Sequence, residues 1–325
     1  MLKKIIIFLV AAILAVPVEA AENATAKKRL KVGLVLGGGG AKGAAEVGVL
    51  KAIEEVGIPI DYIAGTSIGS IIGGLYSCGY RSSDLEDLFS SQEWVALLSD
   101  RNVDFDKRVI TKKDGVTYFF GFPLSKKEAG DDFNFGALKG DSIVALLNSK
   151  TKRPDSISFN KLPIPFRCVA VDLKTFKEYD FESGVLAEAM RASMSIPGAF
   201  KTVKKDSMEL IDGGALNNLP VDVVKAMGAD IVIAIDLTQN HRPAKQKEMK
   251  LKKKPLAQMI EWAKKRPDLI KYNENLKHCD IYINPNLKGF DAASFTPKKI
   301  QEMIKRGVEA GEKAKEELMK LKKRL

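Results

Sequence analysis

The sequence predicts an α/β fold in which helices cover a mostly parallel central sheet. Short aliphatic runs, as expected of buried parallel strands, alternate with segments whose apolar residues recur at a spacing typical of helices. Near the start of the domain, between residues 31 and 77, the order is strand, helix, strand, helix. Parallel neighbours in a sheet need such crossover helices, so this order favours a parallel sheet covered by helices.

Each element is predicted from its local pattern. Val32–Leu36 is an aliphatic run that ends in glycines, and Ala41–Val56 has apolar residues at a spacing of three before Gly57 and Pro59 end the helix. The other predicted strands are Tyr62–Ala64, Val116–Phe120, Phe166–Val171, Ile231–Ile235 and Asp280–Ile283. The other predicted helices are Ile68–Tyr76, Val185–Met194 (with Ser183 beginning the stretch), Leu256–Leu276 (broken or kinked by Pro267) and Phe295–Leu321. Asp100–Asp132 has no clean period and is predicted to form long loops, a candidate lid.

The N-terminus has the pattern of a secretory signal peptide. Lys3 and Lys4 precede the apolar run Ile5–Val18, and Val18 and Ala20 stand at the −3 and −1 positions of a cleavage site. The run is shorter than the ~20 residues that span a bilayer, although an uncleaved anchor is the alternative. We expect a signal peptide over residues 1–20, a polar lead-in over 21–30 and a single domain over 31–325, exported to the periplasm or the medium.

Positive charge is concentrated in the C-terminal quarter of the chain. The formal net charge is +11, and residues 241–325 contain 23 Lys and Arg against 11 Asp and Glu, which leaves the remainder almost neutral. This asymmetry predicts an anionic partner, either a membrane surface or nucleic acid. The alternative is a solvated, lysine-rich helical face.

Cysteine and histidine are too few for several classes of site. Cys78, Cys168 and Cys279 cannot form a disulfide framework and lack the paired spacing of a zinc site. His241 and His278 are the only histidines, which excludes a multi-histidine metal centre. We therefore expect neither a metal nor a cofactor, and a hydrolytic mechanism with few imidazoles available.

The first motif is a glycine-rich loop between the first strand and the first helix. It comprises Gly37, Gly38, Gly39, Gly40, Ala41, Lys42 and Gly43. Consecutive glycines let backbone N–H groups approach a ligand closely, and the start of a helix adds unpaired donors and a partial positive charge. Such a loop stabilises an anion, which can be a phosphate or the oxyanion of an acyl-transfer intermediate.

Two phosphate-binding alternatives fit this loop poorly. Residues 38–43 match G-x-G-x-x-G, but a dinucleotide site expects an acidic residue at the end of the second strand, whereas Asp61 lies at its beginning. Lys42 is followed by Gly43 rather than by Ser or Thr, so the nucleoside-triphosphate motif fails too. The pattern favours an oxyanion.

The second motif, Gly65-Thr66-Ser67-Ile68-Gly69, lies between the second strand and an apolar helix. A nucleophile elbow requires this arrangement, because the sharp turn projects Ser67 while Gly65 and Gly69 leave room for the turn and for substrate. The alternative is a helix cap, which does not need two flanking glycines.

The third motif is Asp212-Gly213-Gly214, directly after the apolar residues Met208–Ile211. A carboxylate at a strand end can accept the proton of Ser67. An ordinary Asp, with a pKa of about 3.9, is a weak base near neutrality, so it needs hydrogen-bond contact with the serine and a strongly stabilised oxyanion. The alternative is a turn aspartate that caps its own backbone.

Together the three motifs resemble the patatin-like phospholipases, and the resemblance extends over almost all of residues 31–311. Three further segments fit that family: Arg191–Phe200 (RASMSIPGAF), Asn217–Pro220 (NNLP) and Asp280–Pro285 (DIYINP). The resemblance implies a three-layer α/β/α fold and hydrolysis of acyl esters of phospholipids or lysophospholipids. It implies Ser67 as nucleophile, Asp212 as proton acceptor, no histidine in the reaction, an oxyanion hole at Gly37, Gly38, Gly39 and Gly40, and supporting glycines at Gly43, Gly65, Gly69, Gly213 and Gly214. One departure is Glu46, where many relatives have histidine.

Two other functions are compatible with the sequence. A serine esterase with a Ser-Asp-His triad would use His241 or His278, which both follow Asp212. A non-catalytic lipid-binding protein can keep the same fold. For the basic C-terminal quarter, a lipid substrate and an export signal favour docking on an anionic membrane surface over nucleic-acid binding.

Overall fold

A computed structural model describes residues 29–99, 111–113, 116–118, 138–239 and 268–325, and Lys31–Leu325 belong to one unit. Several sequence-based predictions lie outside the described residues. They are the signal peptide, most of the polar lead-in, most of the central loops, His241, the basic connector Arg242–Lys254 and the first half of the helix predicted over Leu256–Leu276.

The strands and helices follow one another along the chain as follows. The strands are β1 (Val32–Leu36), β2 (Tyr62–Thr66), β3 (Thr111–Lys113), β4 (Val116–Tyr118), β5 (Ile157–Ser158), β6 (Phe166–Asp172), β7 (Lys177–Phe181), β8 (Ser183–Gly184), β9 (Val203–Lys205), β10 (Met208–Asp212), β11 (Ile231–Ile235) and β12 (Ile281–Ile283). The helices are α1 (Ala44–Val56), α2 (Ile68–Ser77), α3 (Ser82–Ser91), α4 (Trp94–Ser99), α5 (Asp141–Thr151), α6 (Leu186–Ser193), α7 (Val221–Ala226), α8 (Leu269–Lys277) and α9 (Pro297–Lys322).

The main sheet has eight strands in the order β12-β11-β1-β2-β6-β10-β9, and β7 also pairs with β6. From β12 to β6 the neighbouring strands are parallel, whereas β7, β9 and β10 add antiparallel pairs. The predicted mostly parallel sheet is therefore confirmed.

Helices cover both faces of this sheet because successive side chains of its strands point to opposite sides. On one face, Val35 and Ala64 belong to a buried cluster with Val224 of α7 and Tyr272 of α8. On the other face α2 packs so closely that a Cβ on its Gly73 would lie 2.9 Å from the Ile63 side chain. The result is the expected three-layer α/β/α arrangement.

The long strand β6 brings the ends of two other strands together. Its residues 168–172 pair with β7 along one edge, so β2 and β10 share the opposite edge. There Thr66, the last residue of β2, lies opposite Val169, and Asp212, the last residue of β10, lies opposite Ala170. Because β10 runs antiparallel to β6, the carboxyl ends of β2 and β10 point toward each other. Neighbouring registers thus place the second and third motifs side by side.

The other elements show where local patterns were sufficient and where they were not. Val32–Leu36 and Ile231–Ile235 form strands with the predicted bounds, and α1 ends at Gly57 with φ 73°. Helix α1 is preceded by a 3₁₀ turn over Gly40–Gly43. The prediction that Ser183 begins a helical stretch was wrong: Ser183 pairs with Ser158 between β5 and β8, and α6 begins at Leu186.

Helix α9 packs against α1, and the two helices touch at positions occupied by glycine. A Cβ on Gly48 of α1 would stand 2.1 Å from the carbonyl oxygen of Ile304, and one on Gly307 would stand 2.0 Å from that of Ala45. The absence of side chains at these positions lets the two backbones touch, which fixes α1 and the loop that precedes it. Among the described helices, none combines the length and the apolar character needed to cross a membrane.

Candidate active site

Ser67 occupies a sharp turn between β2 and α2, with φ 56° and ψ −124°. A non-glycine residue with positive φ is strained and persists only where its surroundings hold it in place. The Ser67 amide donates to the hydroxyl of Ser193 at 2.9 Å, and the carbonyl of Ser67 accepts from both the amide and the hydroxyl of Ser70. This is the geometry that the second motif predicts.

The flanking glycines are required by backbone contacts. A Cβ on Gly65 would stand 2.3 Å from the carbonyl oxygen of Gly69, and a Cβ on Gly69 would stand 2.3 Å from that of Leu36. A Cβ on Gly43 would stand 2.3 Å from the side chain of Ile68. Strand, turn and helix are therefore as close as their backbones allow, and this closeness holds Ser67 beside the glycine-rich loop.

Asp212 lies next to the nucleophile candidate. The Ser67 hydroxyl is close enough to the Asp212 carboxylate to lower its pKa, and the carboxylate accepts a hydrogen bond from the amide of Gly214 at 2.7 Å. Burial raises the pKa of Asp212 to about 6, and the Ser67 hydroxyl and the Gly214 amide hold it below the value that burial alone would give. The side chain is 7% exposed and that of Ser67 is 5% exposed, so the pair is almost enclosed. A buried carboxylate with a raised pKa is a stronger base than an exposed one.

The glycine-rich loop lies against Ser67, and its four successive amides have different partners. A Cβ on Gly38 would be 3.2 Å from the Cβ of Ser67. The amide of Gly37 donates to the carbonyl of Ile235 and that of Gly38 to the carbonyl of Asn218, each at 3.1 Å. Among the described residues, no acceptor is found for the amides of Gly39 and Gly40. These two amides precede α1, where the partial positive charge of the helix adds to their effect on an anion.

Glu46 lies in the first turn of α1 and is completely buried. Neither carboxylate oxygen has a hydrogen-bond partner among the described residues, and the nearby amide of Gly37 donates to Ile235 instead. Burial raises the pKa of Glu46 well above its usual range, the negative charge of Asp236 raises it further, and the backbone of Gly37 lowers it in part. A buried carboxyl group without a hydrogen-bond partner among the described residues therefore lies behind the loop.

Two further polar residues, which the local sequence pattern did not single out, hold the site together. Ser193 receives the amide of Ser67, and the side chain of Asn218 donates to the carbonyl of Gly38 at 3.2 Å. Both lie in segments whose sequence resembles the patatin-like phospholipases, and their roles depend on contacts between distant parts of the chain.

His278 lies away from this arrangement. It follows α8 and precedes β12, which places it at the amino-terminal edge of the parallel strands, whereas Ser67 lies at their carboxyl edge. Its side chain is 58% exposed and lies 3.5 Å from the carboxylate of Glu274. His241 is outside the described residues. In the described part of the chain, no group of three or more His, Cys, Asp and Glu could hold a metal ion.

Comparison with known families agrees with this geometry. The family described as patatin-like phospholipase matches residues 34–225, more than half of the chain and the part that contains Ser67 and Asp212. The chain belongs to this family. The membership of this family, predicted from the three sequence motifs, is thereby confirmed.

Curated relatives of this patatin-like protein are much longer than it is. A protein named lysophospholipase nte1, from Aspergillus niger, is 34% identical over 211 residues, which cover 63% of this chain and 12% of the relative. The human patatin-like phospholipase domain-containing protein 6 is 35% identical over 208 residues, which cover 63% of this chain and 13% of the relative. The chain thus spans about an eighth of the length of these relatives.

A solved structure supports the fold. The crystal structure of VipD from Legionella pneumophila superposes with a TM-score of 0.52 at 15% sequence identity, covering 89% of this chain and 67% of that one. At this identity the similarity establishes the shared fold alone.

Proposed function

We propose that this patatin-like protein is a serine acyl hydrolase that cleaves carboxylic ester bonds of phospholipids or lysophospholipids. The observation that carries the proposal is the proximity of the Ser67 hydroxyl to the buried carboxylate of Asp212, next to a loop with two amides that lack acceptors among the described residues. Family membership and the names of the relatives support an ester of a phospholipid as substrate.

In the first half of the reaction, Ser67 attacks the ester carbonyl. Its Oγ forms a bond to the carbonyl carbon while Asp212 takes the hydroxyl proton. The carbonyl oxygen becomes an oxyanion that the amides of Gly39 and Gly40 stabilise, since the other two amides of the loop are engaged. When the tetrahedral intermediate collapses, the bond to the leaving alkoxide breaks, and Asp212 returns the proton to it. A lysophospholipid or a glycerophosphodiester departs and an acyl-Ser67 remains.

In the second half, water replaces the leaving group. Asp212 takes a proton from the water as its oxygen bonds to the acyl carbon, and the same two amides stabilise the second oxyanion. Collapse of this intermediate breaks the bond to Ser67, whose oxygen recovers the proton from Asp212. A fatty acid is released and the enzyme is regenerated without a histidine or a metal ion in any step.

The raised pKa of Asp212 makes a two-residue mechanism chemically reasonable. A carboxylate with an ordinary pKa of about 3.9 would bind the serine proton weakly. Burial raises the pKa of Asp212 to about 6, which brings its affinity for protons closer to the operating pH while leaving it ionised near neutrality.

For the location of the reaction, we propose the surface of an anionic membrane outside the cytoplasm. The proposal rests on the pattern of residues 1–20 and on the excess of Lys and Arg in residues 241–325. Co-sedimentation with anionic and neutral vesicles at increasing salt tests it. Binding that requires anionic lipid and weakens with salt is expected, and binding that is insensitive to both would refute the electrostatic part.

The test of the chemistry uses defined lipids. Purified protein is incubated with a phosphatidylcholine and with a lysophosphatidylcholine, and the products are identified by mass spectrometry. We expect release of fatty acid by the wild type, none by Ser67→Ala and severely reduced release by Asp212→Asn. A double variant, His241→Ala with His278→Ala, should retain activity. Loss of activity in that variant would favour a histidine base, and undiminished activity of Ser67→Ala would refute the proposal.

A further inference from the structure

We propose that Ser193 is a positioning residue that fixes the backbone of Ser67 for attack. This inference rests on the proposed function of Ser67 as nucleophile. Ser193 is the last residue of α6 and is completely buried. Its hydroxyl accepts the amide of Ser67 at 2.9 Å and donates to the carbonyl of Val169 at 2.6 Å.

The need for this hydroxyl follows from the junction of strands on β6. The ladder between β2 and β6 ends at the pair Thr66 and Val169, and the next residue of β6, Ala170, already pairs with Asp212 of β10. The Ser67 amide therefore points away from the ladder at a buried position. Buried backbone donors and acceptors are almost always paired, because leaving them unpaired costs free energy. The Ser193 hydroxyl supplies an acceptor for Ser67 and a donor for Val169 at the same point.

The backbone strain at Ser67 makes this contact relevant to catalysis. With φ 56°, Ser67 is held in a conformation that few residues other than glycine adopt. If the amide were released, the turn would be able to relax, and the hydroxyl would move relative to both Asp212 and the glycine-rich loop. Small displacements of a reacting group reduce the rate strongly, even when substrate still binds.

The segment that carries Ser193 also holds the proposed base. Two residues further on, the carbonyl of Ser195 accepts the amide of Asp212 at 3.0 Å. The guanidinium of Arg191 anchors this segment: it donates to the hydroxyl of Ser195 at 2.6 Å and to the carbonyl of Lys139. The segment from Arg191 to Ser195 thus fixes the backbones of both Ser67 and Asp212, and Ser193 is its contact with the nucleophile.

Ser77 provides a matched control. It lies on α2, at the opposite end from Ser67, and is also completely buried. Its hydroxyl has no hydrogen-bond partner among the described residues. Ser77→Ala therefore removes a buried hydroxyl of the same size without removing a contact to the site.

The experiment compares Ser193→Ala, Ser193→Cys and Ser77→Ala with the wild type. Two experiments are done on each protein. The first measures kcat and KM on a phospholipid ester, and the second measures the rate at which a fluorophosphonate probe labels Ser67. The kcat and the labelling rate are expressed per folded molecule, with the folded fraction determined by circular dichroism. We expect kcat and the labelling rate of Ser193→Ala to fall together by about tenfold or more, equivalent to about 1.4 kcal/mol or more, with KM within about twofold of the wild type. Ser193→Cys preserves the volume but has a poor acceptor, so it should stay well below the wild type. Ser77→Ala should match the wild type.

Two results would overturn the inference. One is a Ser193→Ala variant whose kcat and labelling rate equal those of Ser77→Ala. The other is full recovery in Ser193→Cys, which would indicate a packing role. The labelling rate needs no lipid substrate, so a protein that labels at Ser67 but hydrolyses no phospholipid would refute the proposed substrate while still testing the role of Ser193.

Discussion

Asn218 and Gly38 are joined by two hydrogen bonds, although 180 residues separate them. The amide of Gly38 donates to the carbonyl of Asn218 at 3.1 Å, and the side-chain amide of Asn218 donates back to the carbonyl of Gly38 at 3.2 Å. The side-chain oxygen of Asn218 would be 2.6 Å from a Cβ on Gly214, whose amide binds Asp212. One side chain therefore connects the proposed oxyanion loop to the loop that follows the proposed base.

Asn218→Asp tests this connection with almost no change in shape. The substitution replaces the amide group that donates to Gly38 with a carboxylate oxygen, which cannot donate. This oxygen either repels the carbonyl oxygen of Gly38 or turns away from it, and in both cases the hydrogen bond is lost. An unpaired buried polar group costs about 1–3 kcal/mol, and we expect kcat to fall by about tenfold or more with a smaller change in KM. Asn160→Asp is the control, because the Asn160 oxygen accepts from Arg167 and an acid preserves that bond. Equal kcat values for the two variants would contradict the prediction.

The pH dependence of activity should follow Asp212. A base must be ionised to accept the proton of Ser67, and the pKa of Asp212 is raised to about 6 by burial. We therefore expect kcat/KM to fall with decreasing pH, tenfold per unit below about pH 6, in a profile measured on a soluble short-chain ester. The double variant lacking His241 and His278 should give the same profile. An acid limb that disappears in that variant would assign the base to histidine.

The same raised pKa predicts that the ionised base destabilises the fold. The folded-state pKa of about 6 lies above the ordinary value of about 3.9, so the folded state binds this proton more tightly than the unfolded state does. As pH rises from 4 to 8, the contribution of Asp212 to stability decreases by about 2–3 kcal/mol. Relative to the wild type, Asp212→Asn should become more stable by that amount over this range in urea unfolding. A pH-independent difference between the two proteins would contradict the prediction.

Gly40→Ala should strongly reduce activity by displacing a proposed oxyanion donor. Gly40 has φ 58°, and an added Cβ would be 2.5 Å from the carbonyl oxygen of Ala292, so the loop must move. Loss of one such donor costs about 2.7–4 kcal/mol in comparable sites, and we expect kcat to fall by about a hundredfold or more. Gly79→Ala is the control, since Gly79 has φ 103° and no atom within 4 Å of the added Cβ. A Gly40→Ala variant with the kcat of Gly79→Ala would exclude this loop from the reaction.

The parallel part of the sheet could be predicted from sequence because its strands are buried on both faces. Val32–Leu36, interrupted only by Gly33, and Ile231–Ile235 are aliphatic runs and have the predicted bounds. Strand β7, Lys177–Phe181, was not predicted, because its sequence KEYDF is mostly polar and its order comes from pairing with β6. Ser183 was misassigned for a related reason: its pairing with Ser158 is a contact between separate segments.

Local motifs singled out the proposed reacting residues but not the residues that support them. The elbow and the Asp-Gly-Gly triplet point to Ser67 and Asp212, and the registers on β6 bring these two residues together. No local pattern shows that Ser193 receives the Ser67 amide, because 126 residues separate the two. For the same reason, the sequence could not show that the amides of Gly37 and Gly38 donate to carbonyls on distant segments.

The most direct test of the account locates the acyl group during turnover. The wild type, Ser67→Ala and Asp212→Asn are mixed with a lysophospholipid, quenched with acid within the first turnovers, digested and analysed by mass spectrometry. We predict a fatty acyl ester on the peptide containing Ser67 in the wild type, no adduct in Ser67→Ala and very little in Asp212→Asn. An acyl group on any other residue, or fatty acid formed at the wild-type rate by Ser67→Ala, would contradict this prediction.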